Sequence, residues 1–139
     1  MKRIMALILV ALSLLCLTSF ALADEEASTW SSNYFQSYGV SVTKLGGGKI
    51  GITMSCSAVG TASQLGVSSY TVYRYDDGSW TYITSGSGGY KYNTSSYALS
   101  KTFNGVAGEK YRVKCTFLCN KSDGTGETKS STSPSVTAN

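Results

Sequence analysis

The chain has no histidine in its 139 residues. That removes the commonest general base, the His-dependent catalytic triads and most zinc sites. Carboxylates are scarce too, at eight Asp and Glu. Asp24, Glu25 and Glu26 stand together, Asp76 and Asp77 sit in a turn-like DDG, Glu109 precedes a β-like run, and Asp123 and Glu127 lie in a polar stretch. A glycosidase needs two convergent carboxylates about 5–10 Å apart, and the adjacent Asp76 and Asp77 suit a turn better. Asp123-Gly-Thr-Gly-Glu127 offers too few oxygen donors for a calcium loop. The sequence therefore predicts no catalytic residue, no metal and no cofactor. Proline occurs once, as Pro134, and after the first 23 residues no segment has the 3.6-residue period of a helix.

What is there begins with MKRIMALILVALSLLCLTSFALADEE. Lys2 and Arg3 form a positive start, Ile4 to Leu17 is almost wholly apolar, and Ala21-Leu22-Ala23 is a small-x-small cleavage site. This reads as a secretory signal peptide over 1–23. Its apolar run is short of the about 20 residues a membrane span needs. Cys16 follows Leu15 where a lipid-modified signal needs a small residue, so Cys16 leaves with the signal. No second apolar span and no C-terminal sorting signal is visible, and release into the medium is expected, without stable membrane insertion after cleavage. Without Lys2 and Arg3, ten basic and eight acidic residues remain, a net charge of +2. That is too weak and dispersed for a nucleic-acid binder. It permits contact with anionic cell-wall polymers without pointing to it.

Residues 24–38 read as a polar leader, and 39–139 as one domain, large enough for a modest core. GVSVTKL (39–45) is a first strand. In KIGITMSCSAV (49–59), Ile50, Ile52, Met54, Cys56 and Ala58 share one face, the pattern of a sheet with one side buried. SSYTVYRY (68–75) turns inward with Tyr70 and Val72, then Asp76-Asp77-Gly78 supplies a hairpin turn. SWTYITS (79–85) returns, 86–96 is expected to be a Gly/Ser loop, and SYALSKTFNGV (96–106) carries Tyr97, Leu99 and Phe103 on one face. In YRVKCTFLC (111–119), Tyr111, Val113, Cys115, Phe117 and Cys119 alternate with Arg112, Lys114 and Thr116. Residues 120–130 are expected as a polar turn and STSPSVTA (131–138) as an edge strand, because of Pro134. About seven short strands predict an all-β sandwich.

Three cysteines remain after cleavage: Cys56, Cys115 and Cys119. Four residues of strand span roughly 13 Å, whereas a disulfide needs Cα atoms about 4.4–6.8 Å apart. Cys115 and Cys119 therefore do not bond each other if the strand persists, and both point to the inner face with Cys56. Small secreted domains tend to form disulfides, yet a free cysteine also packs as a small hydrophobe.

The order of these strands resembles an immunoglobulin or fibronectin type III domain. Gly108-Glu-Lys-Tyr-Arg-Val113 is similar to the fibronectin F-strand pattern, and KIGITMSCSAV sits at the B-strand position. The resemblance covers roughly residues 39–138 and implies a single Ig/fibronectin-like sandwich with Tyr111 as its tyrosine corner. It also implies that Cys56, late in one strand, meets Cys115, early in its antiparallel neighbour across the core. Cys119 is then left as a free thiol or a link to a second copy of the chain. The chain further resembles small secreted proteins of Gram-positive bacteria that carry a domain of unknown function, which implies the compartment and no activity.

Ten tyrosines and two tryptophans are a high aromatic load. Tyr73 and Tyr75 have the opposite parity to Tyr70 and should face outward, and Trp80 and Tyr82 follow across the hairpin on one common face of their strand. If that face too is outward, all four stand side by side. Together they would form a flat aromatic patch suited to sugar rings or a protein partner, which Tyr90 and Tyr92 could extend. The bland alternative is that these rings only stiffen the hairpin. These features predict a secreted, non-catalytic binding or adhesion module for an extracellular glycan or protein. A secreted antagonist toxin or signalling protein is the second reading, and a hydrolase the weakest.

Overall fold

A computed structural model of the chain describes residues 32–139. The expected signal peptide and residues 24–31 of the leader lie outside the described residues. There are six strands and, among the described residues, no helix: β1 Phe35–Gly46, β2 Lys49–Asp76, β3 Ser79–Asn104, β4 Lys110–Asn120, β5 Gly126–Thr132 and β6 Val136–Thr137. All pairings are antiparallel, in the order β1-β2-β4-β5, with β3 also on β2 and β6 on β4.

β2 has 28 residues and β3 has 26, well beyond the usual 3–10. Each runs through two parts of the sheet. Residues 49–57 of β2 pair with β1 on one side and with residues 96–104 of β3 on the other. Between Ser57 and Ala62 the pairing with β3 jumps from Ser96 to Thr94, and Gly60 takes a φ of +70°. The extra residues bend β2. Beyond the bend, residues 64–76 pair with the first part of β3 and with β4, which carries β5 on its far side. One continuous sheet thus curls into a three-stranded arm and a four-stranded arm.

The inner faces follow from alternation. Ile50, Ile52, Met54, Cys56 and Ala58 are buried on the first arm of β2, and Tyr111, Val113, Cys115, Phe117 and Cys119 on β4. Fully burying one such large apolar side chain stabilises the fold by about 1.5–3 kcal/mol. A bulge at Ser68 keeps the second arm of β2 in phase: pairing with β4 steps from Val67↔Phe117 to Ser69↔Thr116. The inner set therefore changes from Leu65 and Val67 to Tyr70 and Val72. At the hairpin tip Asp77 and Gly78 have φ of 46° and 88°, the pair of left-handed conformations that a two-residue turn matching strand twist requires.

Four expectations about the elements are corrected. β1 begins at Phe35, inside the expected leader, because Phe35 is buried and its ring meets Tyr38, which in turn meets Phe117 at 5.8 Å. Residues 86–96 are strand, not loop: the glycines leave room for side chains beneath them, since a Cβ at Gly86 would stand 2.7 Å from the Tyr70 ring. The polar turn ends at Thr125, and β5 starts at Gly126. The last strand is reduced to Val136–Thr137. Ahead of it, Ser133 takes a partner's place: its N–H donates to the Val113 carbonyl at 2.8 Å, and its hydroxyl accepts the Val113 N–H at 2.9 Å.

Tyr111 is buried against Phe103, with ring centroids 5.4 Å apart. Its hydroxyl accepts the Val106 N–H at 2.9 Å, five residues upstream. Tyr111→Phe removes that acceptor and little volume. The expected cost is about 1 kcal/mol, seen in urea as a lower midpoint with an unchanged slope.

Candidate functional site

The outer face of the four-stranded arm collects the sequence-predicted aromatics. Tyr73 lies opposite Tyr82 and Tyr75 opposite Trp80 across the β2–β3 hairpin. The register places all four on the side away from the core, as Val72 and Val113, one residue along, are buried. The Tyr75 and Trp80 rings meet edge to face at 5.3 Å, a geometry that stabilises an aromatic pair by about 0.5–1.5 kcal/mol beyond area. Tyr75 is 41% exposed and Tyr82 59%, whereas Tyr73 and Trp80 are half-buried. The Tyr82 hydroxyl shares a hydrogen bond with Ser85 at 3.0 Å.

Two cations that sequence reasoning did not assign to the patch belong to it. Arg112 on β4 is the register partner of Tyr73. Its guanidinium carbon lies 4.2 Å from the centre of the Trp80 ring. The Lys110 ammonium lies 5.3 Å from the centre of the Tyr75 ring. Such contacts contribute about 0.5–1 kcal/mol each when exposed. The alternation of β4 already put Arg112 on the outer side. Its seat over Trp80 needs the β2–β4 register, which no local pattern carries.

Tyr90 and Tyr92 face the same way, opposite Gly66 and Gln64, and are 38% and 67% exposed. Tyr90 lies eight residues along β3 from Tyr82, roughly 26 Å at about 3.3 Å per residue. They form a separate end of the face, joined to the first by Ser69, Thr71, Ser85 and Ser87.

Three of the carboxylates are engaged elsewhere. Asp76 holds Arg74 at 3.0 Å, and that hydrogen bond keeps its carboxyl below the ordinary range. Asp123 is held low by the Thr125 hydroxyl at 2.6 Å and N–H at 2.9 Å, a closed turn. Burial pushes Glu127 up, but hydrogen bonds from Ser32 and Lys129 outweigh it and leave the group lowered.

The three cysteines all reach the core, as free thiols. Burial pushes Cys56 up to about 12, with Cys119 as a neighbouring charge adding to it. Burial likewise pushes Cys115 up to about 12, with Cys56 adding. Cys56, on the three-stranded arm, thus feels both thiols of the four-stranded one. Cys119 is fully buried, and its thiol points at the Tyr34 carbonyl oxygen at 3.7 Å. A bond from Cys119 to a second copy would require the start of β1 to leave β4.

No protein-family model matches the chain, and no curated protein matches it.

Proposed function

We propose that this chain is a secreted, non-catalytic binding module of Ig/fibronectin type III-like architecture, holding an extracellular glycan or protein on the outer face of its four-stranded arm. The observation that carries the reading is the tip of that face. Tyr73, Tyr75, Trp80 and Tyr82 stand in adjacent register there, on a rigid hairpin, with two rings well exposed. Rings held by a sheet lose little freedom on binding, which favours affinity. The sandwich reading draws on the three-plus-four division of the curled sheet and on the upstream hydrogen bond of Tyr111. Secretion rests on the signal-like residues 1–23 and predicts a mature protein that starts at Asp24.

The test is a pull-down of glycans, cell-wall fractions and host proteins, followed by affinity measurement with Tyr73→Ala and Trp80→Ala. Binding is expected to weaken at least tenfold in Trp80→Ala, as expected for a central aromatic anchor, with native-like circular dichroism but a melting temperature lowered by several degrees, because the Tyr75 pair and the Arg112 contact are lost with the ring. Unchanged affinity in both folded variants removes this face as the site. Growth arrest of neighbouring bacteria by the purified protein would move the reading to an antagonist.

A further inference from the structure

We infer that the ligand of this face is an acidic glycan, a polysaccharide bearing uronate carboxylates, and that Arg112 is the residue that takes the carboxylate. The inference rests on the binding face proposed above and adds the ligand's charge.

The register puts Lys110, Arg112 and Lys114 at successive outward positions of β4, roughly 6.6 Å apart at about 3.3 Å per residue. Three like charges in a row repel one another. An acid across the sheet would relieve them, but the neighbours on β2 are Tyr73 opposite Arg112 and Thr71 opposite Lys114. Beyond Lys114 on β5 stands Thr132. No Asp or Glu occupies an outward position of the four strands. The ion pairs among the described residues are Arg74–Asp76 and Lys129–Glu127, and neither uses these cations.

Arg112 is the most committed of the three. Its guanidinium carbon lies over the Trp80 ring, 4.2 Å from the ring centre, and its Nε is buried with no hydrogen-bond partner among the described residues. An arginine so placed is orientated and charged, yet has no anion. A guanidinium presents a fork of donors that a carboxylate matches with two parallel hydrogen bonds. The surroundings suit a sugar that carries the carboxylate. Tyr75, Trp80 and Tyr82 offer ring surface, and the hydroxyls of Thr71, Ser85 and Tyr82 offer donors and acceptors. A neutral glycan would use the rings and leave the cation row uncompensated.

The probe is polygalacturonate, compared with its methyl ester, which keeps the backbone and loses the charge. Affinities are measured by calorimetry for wild type, Arg112→Gln, Arg112→Lys, Lys114→Gln and Trp80→Ala, each checked for melting temperature. The acidic polymer is expected to bind at least tenfold tighter than the ester, with affinity falling as salt rises. Arg112→Gln should lose at least tenfold for the acid and little for the ester. Arg112→Lys should recover only part, because the charge returns without the fork. Lys114→Gln, away from the Trp80 ring, tests the charge row if the Arg112 variants melt early. Equal affinity for both polymers, lowered in Trp80→Ala, overturns the acidic ligand and keeps the binding face. Acid binding indifferent to Trp80→Ala and Arg112→Gln alike overturns the face itself. Binding to neither polymer, or tighter binding to a single-stranded oligonucleotide, overturns the glycan.

Discussion

On the secreted reading proposed above, the Cys56 and Cys115 thiols, free in the structure, are expected to be joined as a disulfide in protein collected from the medium, and reduction is expected to cost about 4 kcal/mol of stability. The closed loop spans residues 56–115, and restricting the unfolded chain by a loop of this size stabilises the fold by about 4 kcal/mol. The bond would join the two arms of the sheet: Cys56 lies on the first arm of β2, and Cys115 on β4 opposite Tyr70. Reduction also creates a pH dependence with a definite sign. In the folded state burial holds the thiols of Cys56 and Cys115 near 12, against 9.0 for an ordinary thiol. Between those values the unfolded chain ionises its thiols and the folded chain does not, so the unfolded state is favoured as pH rises. The stability of the reduced protein is full below about pH 9.0 and declines toward 12. The oxidised protein lacks that part of the slope, and tyrosine ionisation cancels in the comparison. Cys56→Ala should match the reduced protein to within the small cost of its cavity, and Cys119→Ala should leave the difference between oxidised and reduced forms intact. Three free thiols in the denatured, non-reduced protein would refute the bond. A peptide map joining Cys56 to Cys119 would move it four residues along β4.

The parts of the fold that were legible in the sequence are those where one residue decides one face. Ile50 to Ala58 and Tyr111 to Cys119 alternate without interruption, and every predicted inner residue of both runs is buried. Tyr73 and Tyr75 followed from the same parity, counted outward from Tyr70, whereas Trp80 and Tyr82 share one face of their strand whose direction only the β2–β3 register gives. Legibility ends where two strands must be known at once. The bend of β2 between Ser57 and Ala62 is a jump in pairing with β3, and neither strand alone records it. Residues 86–89 read as loop because glycine permits anything in isolation. In place, a Cβ at Gly88 would stand 2.5 Å from the Val67 side chain, and one at Gly89 2.8 Å from the Tyr97 hydroxyl. Those glycines are strand residues shaped by what lies under them. Arg112 on the outer face is the counterpart: its outward direction was written locally, and its contact with Trp80 only in the register of three strands.

Gly66→Ala is expected to destabilise the protein by about 3 kcal/mol, and Gly66→Val by more. Gly66 sits in the middle of β2, between Leu65 and Val67 and paired with Tyr90 on β3 and Leu118 on β4. A Cβ there would stand 2.0 Å from the Gly89 carbonyl oxygen and 2.7 Å from the Tyr90 Cα. Both are backbone atoms, so no side chain can rotate away, and β3 must lift from β2. The lift would break pairing where β3 covers Val67 and Tyr70. Glycine in a strand is otherwise a mild entropic cost, which Gly39 illustrates on β1: no atom lies within 4 Å of its would-be Cβ. Gly39→Ala is therefore expected to be neutral or to stabilise by about 0.4–1 kcal/mol. Urea unfolding of the two alanine variants, side by side, separates close approach from backbone entropy. A Gly66→Ala variant within about 0.5 kcal/mol of wild type, the range of an ordinary surface change, would show that β3 does not lie so close over β2. The functional consequence is also specific. The lift detaches the Tyr90 end of the outer face, whereas Trp80 and Arg112 sit near the hairpin tip, held by β4. Under the binding function proposed above, affinity at that tip per folded molecule should survive Gly66→Ala, so lost stability and lost binding remain distinguishable on the same strand pair.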